Sequence, residues 1–139
     1  MLRTSIAVLL LLLSFNSYAE PGGAACVVAK SLYGVALDIV WVTGKDHPLT
    51  AIEEAKALIK EKGYRNSFPQ ESYNYRHGYM VIIEANYING RGKKRHSYGC
   101  GFSRISYEHA EVLAKLNLTG YAWDWKDKFG YKIFHKERF

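Results

Sequence analysis

The chain has 139 residues, a formal net charge of +6, 48% hydrophobic residues and 14% aromatic residues. Disordered segments are poor in aromatic and β-branched residues, so this composition excludes an intrinsically disordered protein. Beyond the first nineteen residues, no stretch is long and apolar enough to cross a bilayer, and the remainder has the length of one domain.

Residues 1–19 have the features of a cleaved secretory signal peptide. Arg3 gives a positive start, an apolar run covers residues 6–13, and Ser17 and Ala19 are the small residues of a cleavage site. The apolar run is shorter than the roughly 20 residues that a membrane-spanning helix needs. We therefore expect a periplasmic or secreted mature protein, whose net charge after the loss of Arg3 is +5.

The mature chain is predicted to begin with a flexible lead-in, residues 20–25, followed by one globular domain, residues 26–139. Its two cysteines, Cys26 and Cys100, are expected to form a disulfide in an oxidising compartment. The alternative is a lipoprotein acylated at Cys26. Gly23 disfavours it, because a large aliphatic residue is usual three positions before an acylated cysteine.

The first half of the domain is predicted to contain strand, helix and loop. Residues 26–42 are apolar and β-branched, which predicts one strand or two pieces broken near Lys30. Thr50 and Glu53 form a capping box that predicts a following helix, with a stop at Gly63. Residues 64–77 are polar and contain Pro69, so they are interpreted as a loop of about a dozen residues.

The second half is predicted to begin with a β-hairpin. Residues 78–87 resemble a strand, and Asn89 with Gly90 gives the strongest hairpin signal in the chain. A two-residue turn there would place Glu84 opposite Arg95, a favourable cross-strand pair.

A second helix and a last strand complete the domain. Ser106 is the predicted cap of the helix, Gly120 is its predicted stop, and the strand should run from about Tyr131 to Phe139. The resulting order, β-α-β-β-α-β, predicts an α+β fold. We expect a mostly antiparallel sheet with both helices on one face and one disulfide.

Candidate catalytic residues are His77, Glu84, Arg95 and His96. Two histidines and a carboxylate in an apolar strand are suited to acid–base chemistry, and an arginine to holding a phosphate. The competing interpretation is structural: Glu84 pairs with Arg95, and His96 is a buried, satisfied histidine.

Other catalytic chemistries lack support in the sequence. The five histidines are dispersed without metal-ligand spacing, so neither a metal nor a cofactor is expected. Cys100 lies between two glycines like an exposed nucleophile, but pairing with Cys26 would remove the thiolate.

Candidate binding residues combine aromatic rings with cations, which suits single-stranded nucleic acid or glycan. They are Tyr75, Arg76, Arg91, Lys93, Lys94 and Trp123. Solvated cations also collect at ordinary loop tips.

The sequence therefore favours an exported, non-catalytic binding or inhibitory module of the cell envelope, similar in role to immunity proteins and inhibitors. Its expected partner is an envelope or secreted protein, or an anionic glycan or lipid surface; nucleic acid lacks support. The alternative is a small secreted hydrolase, nuclease-like, that acts on a polyanion. A third possibility is a purely structural envelope component.

Overall fold

A computed structural model of the protein describes residues 20–139, and the predicted signal peptide, residues 1–19, lies outside the described residues. The elements along this part of the chain are β1 (Pro21–Lys30), β2 (Ala36–Lys45), α1 (Pro48–Glu61), β3 (Ser67–Tyr75), β4 (Tyr79–Ile88), β5 (Lys94–Ser103), α2 (Tyr107–Tyr121), a 3-10 turn (Asp127–Phe129) and β6 (Lys132–Arg138). No helix between residues 20 and 139 combines the length and the apolar character needed to cross a bilayer.

The two halves of the described chain have the same topology. The first half forms a three-stranded antiparallel sheet in the order β2-β1-β3, and the second half forms another in the order β5-β4-β6. In each half, two strands are followed by a helix and a third strand. The fold is therefore two ββαβ units.

The hairpin loop between the first two strands of each unit closes in the same way. The Gly34 amide donates to the Ser31 carbonyl at 3.0 Å, and the Gly92 amide donates to the Asn89 carbonyl at 3.0 Å. Gly34 and Gly92 have φ values of +79° and +75°, which glycine adopts without the steric cost that a Cβ brings.

The two sheets pack face to face, and each carries one helix on its outer face. Small residues of α1 (Ala51 and Ala55) lie on the first sheet, and small residues of α2 (Ala110 and Ala114) lie on the second. The inner core contains the following buried residues: Ala24, Cys26, Val28, Ile39, Met80, Ile82, Tyr98, Cys100 and Phe102. The layer order is helix, sheet, sheet, helix.

The predicted α+β class is confirmed, but the helices lie on two sheets instead of one face of a single sheet. The reason is visible in β1, where almost every residue is buried. Alternate residues such as Cys26 and Val28 face the second sheet, while Ala25 and Val27 face α1. A strand buried on both faces requires a covering layer on each side.

The predicted disulfide is confirmed. It joins Cys26 of β1 to Cys100 of β5, with an S–S distance of 2.02 Å, so it links the two sheets. Both cysteines are completely buried. A disulfide leaves neither sulfur for acylation or for nucleophilic attack, which disfavours both of those alternatives.

The flexible lead-in predicted at residues 20–25 is wrong, because β1 begins at Pro21 and residues 22–25 are buried. Gly22 and Gly23 allow neighbouring backbone segments to approach β1 closely. A Cβ on Gly22 would come within 2.6 Å of the Arg76 backbone, and one on Gly23 would overlap the backbone of His47.

The loop predicted at residues 64–77 is also wrong, because residues 67–75 form β3. β3 is an edge strand, and Pro69 lies opposite Val27, next to a register shift in the ladder. A proline lacks the amide that a central strand needs but is tolerated at an edge or a bulge.

The β4–β5 hairpin is present, but its predicted register is wrong by three residues. Tyr87 pairs with Arg95, and Glu84 pairs with Tyr98. The connection is a five-residue loop, residues 89–93, in which Gly92 takes the positive φ. Loop length sets hairpin register, so the longer loop moves every partner.

The predicted cap of the second helix is confirmed, and the predicted cap of the first helix is wrong. The Ser106 hydroxyl accepts a hydrogen bond from the His109 amide at 3.1 Å and caps α2. The α1 helix begins earlier than its predicted capping box, at Pro48, and the His47 Nδ1 atom accepts from the Leu49 amide at 3.1 Å. Proline is well suited to a first helical position, because its missing amide has no partner there.

Candidate functional site

The four candidate catalytic residues do not form one cleft. His77 lies between β3 and β4, with its Nε2 atom 3.6 Å from Glu20 Oε2. Glu84 is seven residues further along β4, roughly 20 Å away at the rise of an extended strand. Arg95 and His96 are neighbours in β5, so their side chains leave opposite faces of the sheet. The arrangement does not favour the hydrolase alternative.

Glu84 of β4 and His96 of β5 form a pair on the face of the second sheet that packs against the first sheet. The His96 Nε2 atom lies 3.0 Å from Glu84 Oε2, and Nδ1 lies 2.9 Å from the Ala36 carbonyl oxygen. Because a carbonyl oxygen can only accept, Nδ1 carries a proton. Both ring nitrogens are thus occupied, and the pair ties β5 to β2.

Tyr75 and Arg76 lie at the end of the sandwich where β1 begins. Arg76 contacts two carboxylates: its Nε atom is 3.2 Å from Glu20 Oε1, and its Nη2 atom is bonded to Asp46. The Arg104 guanidinium lies 4.5 Å from the centre of the Tyr75 ring. The charge of Arg76 is therefore compensated within the protein.

The other candidate binding residues mostly converge on a groove at the opposite end. Arg91, Lys93 and Trp123 line it, whereas Lys94 lies beside it at the exposed start of β5. The groove has a volume of about 660 Å³, and we call it the basic groove. Its lining includes five cations, two aromatic side chains and one carboxylate: Arg91, Lys93, Arg95, Lys126, Lys128, Trp123, Phe129 and Asp124.

Asp124, the carboxylate of the basic groove, is held from three sides. The Tyr87 hydroxyl donates to it at 2.6 Å, Asn89 Nδ2 donates at 3.0 Å, and Arg95 Nε lies 3.7 Å away. Burial by itself would raise the pKa of Asp124, but these hydrogen bonds and the Arg95 charge lower that pKa below its ordinary value. Asp124 therefore stays ionised. Its negative charge is compensated by Arg95 and by the hydrogen bonds from Tyr87 and Asn89.

Arg95 extends the groove wall to the first ββαβ unit. Its Nη1 atom donates to the Tyr33 carbonyl at 3.1 Å, and Nη2 lies 3.4 Å from the Gly34 carbonyl. The loop of residues 31–35 is therefore fixed beside the groove. The Arg95 guanidinium thus contacts the connections at residues 31–35 and 122–131, and Asn89 of the hairpin loop bonds to Asp124 beside it.

The connection that carries Trp123 is braced by its second tryptophan. The Trp125 ring is buried against α2, and its Nε1 atom donates to the Gly130 carbonyl at 2.9 Å. Trp123 is instead 76% exposed. One ring thus anchors the connection and the other is presented to solvent.

Arg91, Lys93 and Trp123, which the sequence offered as candidate binding residues, line the groove, and so do Lys126 and Lys128, which were not among the candidates. A signal for them was present, since alternating charges directly follow the two tryptophans. Their approach to the hairpin loop depends on the path of the connection after α2, which is a tertiary property.

Among residues 20–139, no three His, Cys, Asp or Glu side chains are arranged so that they could hold a metal ion. No protein-family model, curated protein or solved structure matches the chain. The described part of the protein is a disulfide-linked pair of ββαβ units with a basic groove at one end.

Proposed function

We propose that the protein is an exported, non-catalytic binding module that recognises an anionic partner through the basic groove. One observation carries this proposal: five cations line the groove, and its lining carboxylate, Asp124, is already bonded to Tyr87 and Asn89. Cations crowded around a concavity create a positive potential that attracts an anionic partner.

The distribution of charge between the two ends of the sandwich supports this choice. The connections at the groove end, residues 31–35, 62–66, 89–93 and 122–131, contain six Lys or Arg and two Asp. At the other end, Arg76 and Arg104 are balanced by Glu20 and Asp46. The positive excess of these connections therefore lies at one end of the fold.

The difference between the two ββαβ units supports it further. The helix and third strand of the first unit are joined by five residues, 62–66, whereas the second unit uses ten, 122–131. The longer connection supplies Trp123, Lys126 and Lys128 to the groove. The repeated fold therefore departs from symmetry where the binding surface is built.

Export is supported by two independent features. Residues 1–19 have the composition of a signal peptide. The buried disulfide between Cys26 and Cys100 is typical of an oxidising compartment. A partner in the envelope or outside the cell fits both features.

The test reverses three groove charges and compares three anionic probes. The variant Arg91→Glu, Lys93→Glu, Lys126→Glu is measured against polyglutamate, heparin and phosphatidylglycerol vesicles. Each Lys or Arg near an anionic surface contributes about 1 kcal/mol, so binding to the preferred probe should fall roughly 100-fold.

The matched control makes the same change of net charge away from the groove, with Lys56→Glu, Lys136→Glu and Arg138→Glu. These cations lie on α1 and β6 and do not line the groove. The control should bind within about threefold of the wild type. Equal binding by the groove variant and the control to every probe would refute the proposed function.

A further inference from the structure

The end of the molecule that carries the basic groove also presents the most exposed large apolar side chains. Leu32 is 89% exposed, Tyr33 is 87% exposed and Trp123 is 76% exposed, the three highest values for large hydrophobic residues between positions 20 and 139. Single exposed apolar residues are common, but a group of them at one end of a domain marks an interaction surface.

These side chains belong to one surface because Arg95 joins the connections that carry them. Its guanidinium contacts the Tyr33 carbonyl at 3.1 Å on one side and Asp124, the neighbour of Trp123, at 3.7 Å on the other. Ile88, 57% exposed, lines the groove in the same region. Exposed apolar side chains and cations therefore lie together at one end of the sandwich.

We propose that this end docks on an anionic lipid surface. Leu32, Tyr33 and Trp123 enter the boundary between headgroups and acyl chains, and the cations of the basic groove bind the headgroup phosphates. This inference rests on the proposed function, because it names the partner of the same groove.

The backbone of the apolar tip favours lipid because several of its polar groups are already bonded. The Ser31 amide donates to the Val35 carbonyl at 2.9 Å, and the Gly34 amide donates to the Ser31 carbonyl at 3.0 Å. The Tyr33 carbonyl accepts from Arg95. Each polar group that is bonded internally lowers the desolvation cost of moving the turn into a water-poor layer.

The residue types at this end also match a membrane interface. Trp and Tyr are enriched at the level of lipid headgroups, because one part of each ring system is apolar and another can form hydrogen bonds. The Lys and Arg side chains of the basic groove add attraction to anionic lipid. A nucleic acid or a glycan chain would contact the cations and Trp123, but its binding would not bury the apolar side chain of Leu32, which is 89% exposed.

The experiment measures binding of the oxidised protein to vesicles of phosphatidylcholine alone and of phosphatidylcholine with phosphatidylglycerol. The tip variant is Leu32→Ser, Tyr33→Ser. Its control is Ile105→Ser, Leu116→Ser, which removes two side chains that are 72% and 62% exposed outside this surface. Circular dichroism checks that each variant is folded.

We expect binding to the anionic vesicles only, a loss of at least about tenfold in the tip variant, and no change in the control. Tryptophan emission should shift to shorter wavelength on binding, and the shift should disappear in Trp123→Phe.

Two results would overturn the lipid inference. The first is vesicle binding that neither depends on the tip nor shifts the emission, since that would be electrostatic attraction alone. The second is groove-dependent binding to polyglutamate or heparin without binding to anionic vesicles, which would indicate an acidic protein or a glycan. In that second case the proposed function stands. It fails only if reversal of the groove charges changes binding to none of the probes.

Discussion

The Nε atom of Arg95 lies 3.7 Å from Asp124 Oδ2, and this ion pair connects the two ββαβ units at the groove. Arg95 also reaches the Tyr33 and Gly34 carbonyls of the first unit. Both side chains are mostly buried, at 22% and 13% exposure, so solvent screens the pair less than it would a surface pair. The side chains of this groove wall are therefore held in place in the free protein, and such preorganisation generally lowers the entropic cost of binding.

Replacing Asp124 by asparagine should destabilise the protein by about 1–3 kcal/mol at pH 7, because Arg95 and Tyr87 lose a charged partner. The folded-state pKa of Asp124 is lower than the unfolded value near 3.9, so its contribution is complete above that value and is lost as the pH falls through the folded pKa. The unfolding free energies of variant and wild type, measured in urea, should therefore still differ at pH 4 and converge only when the pH has fallen below the folded-state pKa of Asp124.

The control for this substitution is Asp127→Asn. Asp127 is 80% exposed and pairs with Lys115 on the surface, so its loss should cost less than about 0.5 kcal/mol. Equal destabilisation by the two variants at pH 7 would show that the Arg95–Asp124 pair does not hold the groove together.

Replacing Gly101 by alanine should destabilise the protein by about 1–3 kcal/mol, since the added methyl group would overlap the backbone of Ala110 and Ala114. Thermal or urea unfolding measures the loss. Gly120→Ala is the matched control: no atom lies within 4 Å of its Cβ position in α2, and alanine favours helix by up to about 1 kcal/mol. An unchanged free energy of unfolding in Gly101→Ala would mean that α2 packs less closely on β5 than described.

Removing the disulfide should cost roughly 4 kcal/mol, because Cys26 and Cys100 close a loop of 74 residues in sequence separation. The measurement compares urea unfolding of the oxidised protein with that of Cys26→Ala, Cys100→Ala. Reductant should weaken the wild type and leave the double variant unchanged. A difference below about 1 kcal/mol between oxidised wild type and double variant would argue against a stabilising cross-link between the sheets.

Asn117 and Gln70 should act as a coupled pair that protects the open edge of β5. Asn117 Oδ1 accepts from the Cys100 amide and from Gln70 Nε2, each at 2.9 Å, and Gln70 Nε2 also donates to the Tyr98 carbonyl at 2.6 Å. Asn117→Ala should cost about 1–3 kcal/mol, because it leaves a buried amide without a partner.

A double-mutant cycle of unfolding free energies checks this coupling. The cycle with Gln70→Ala should give an interaction energy of about 0.5–3 kcal/mol. The control cycle combines Asn117→Ala with Asn74→Ala, an exposed residue of the same strand as Gln70, and its interaction energy should be nearly zero. Similar energies in the two cycles would contradict the role of the pair.

Two short sequence signals were interpreted correctly, whereas the capping box at Thr50 and Glu53 was not, because α1 begins at Pro48. Ser106 caps α2, and Asn89 opens the second hairpin, because each acts on amides a few residues away. The hairpin register was missed because Gly92, and not Gly90, sets the length of the loop. β3 was missed because Pro69 and its polar neighbours resemble a loop when the edge position of the strand is unknown.

The lining of the basic groove was predicted in part for a similar reason. Arg91 and Lys93 lie in one hairpin loop, so their proximity is readable from the sequence. Lys126 joins them only because the connection after α2 folds back, a path fixed by the bonds of Asp124 and Trp125. The sequence could not show that the charge of Arg76 is compensated while the groove carries an excess of cations. Glu20 and Asp46 approach Arg76 only in the folded chain.

The most direct test of the basic groove as the binding surface is an NMR titration of the isotope-labelled, oxidised protein with bicelles containing phosphatidylglycerol and, separately, with a heparin oligosaccharide. We expect at least one ligand to shift backbone amides in residues 31–35, 89–93 and 122–131, with little change near Arg76 and Arg104. Shifts concentrated at the Arg76 end, or none in those three connections with either ligand, would contradict the account.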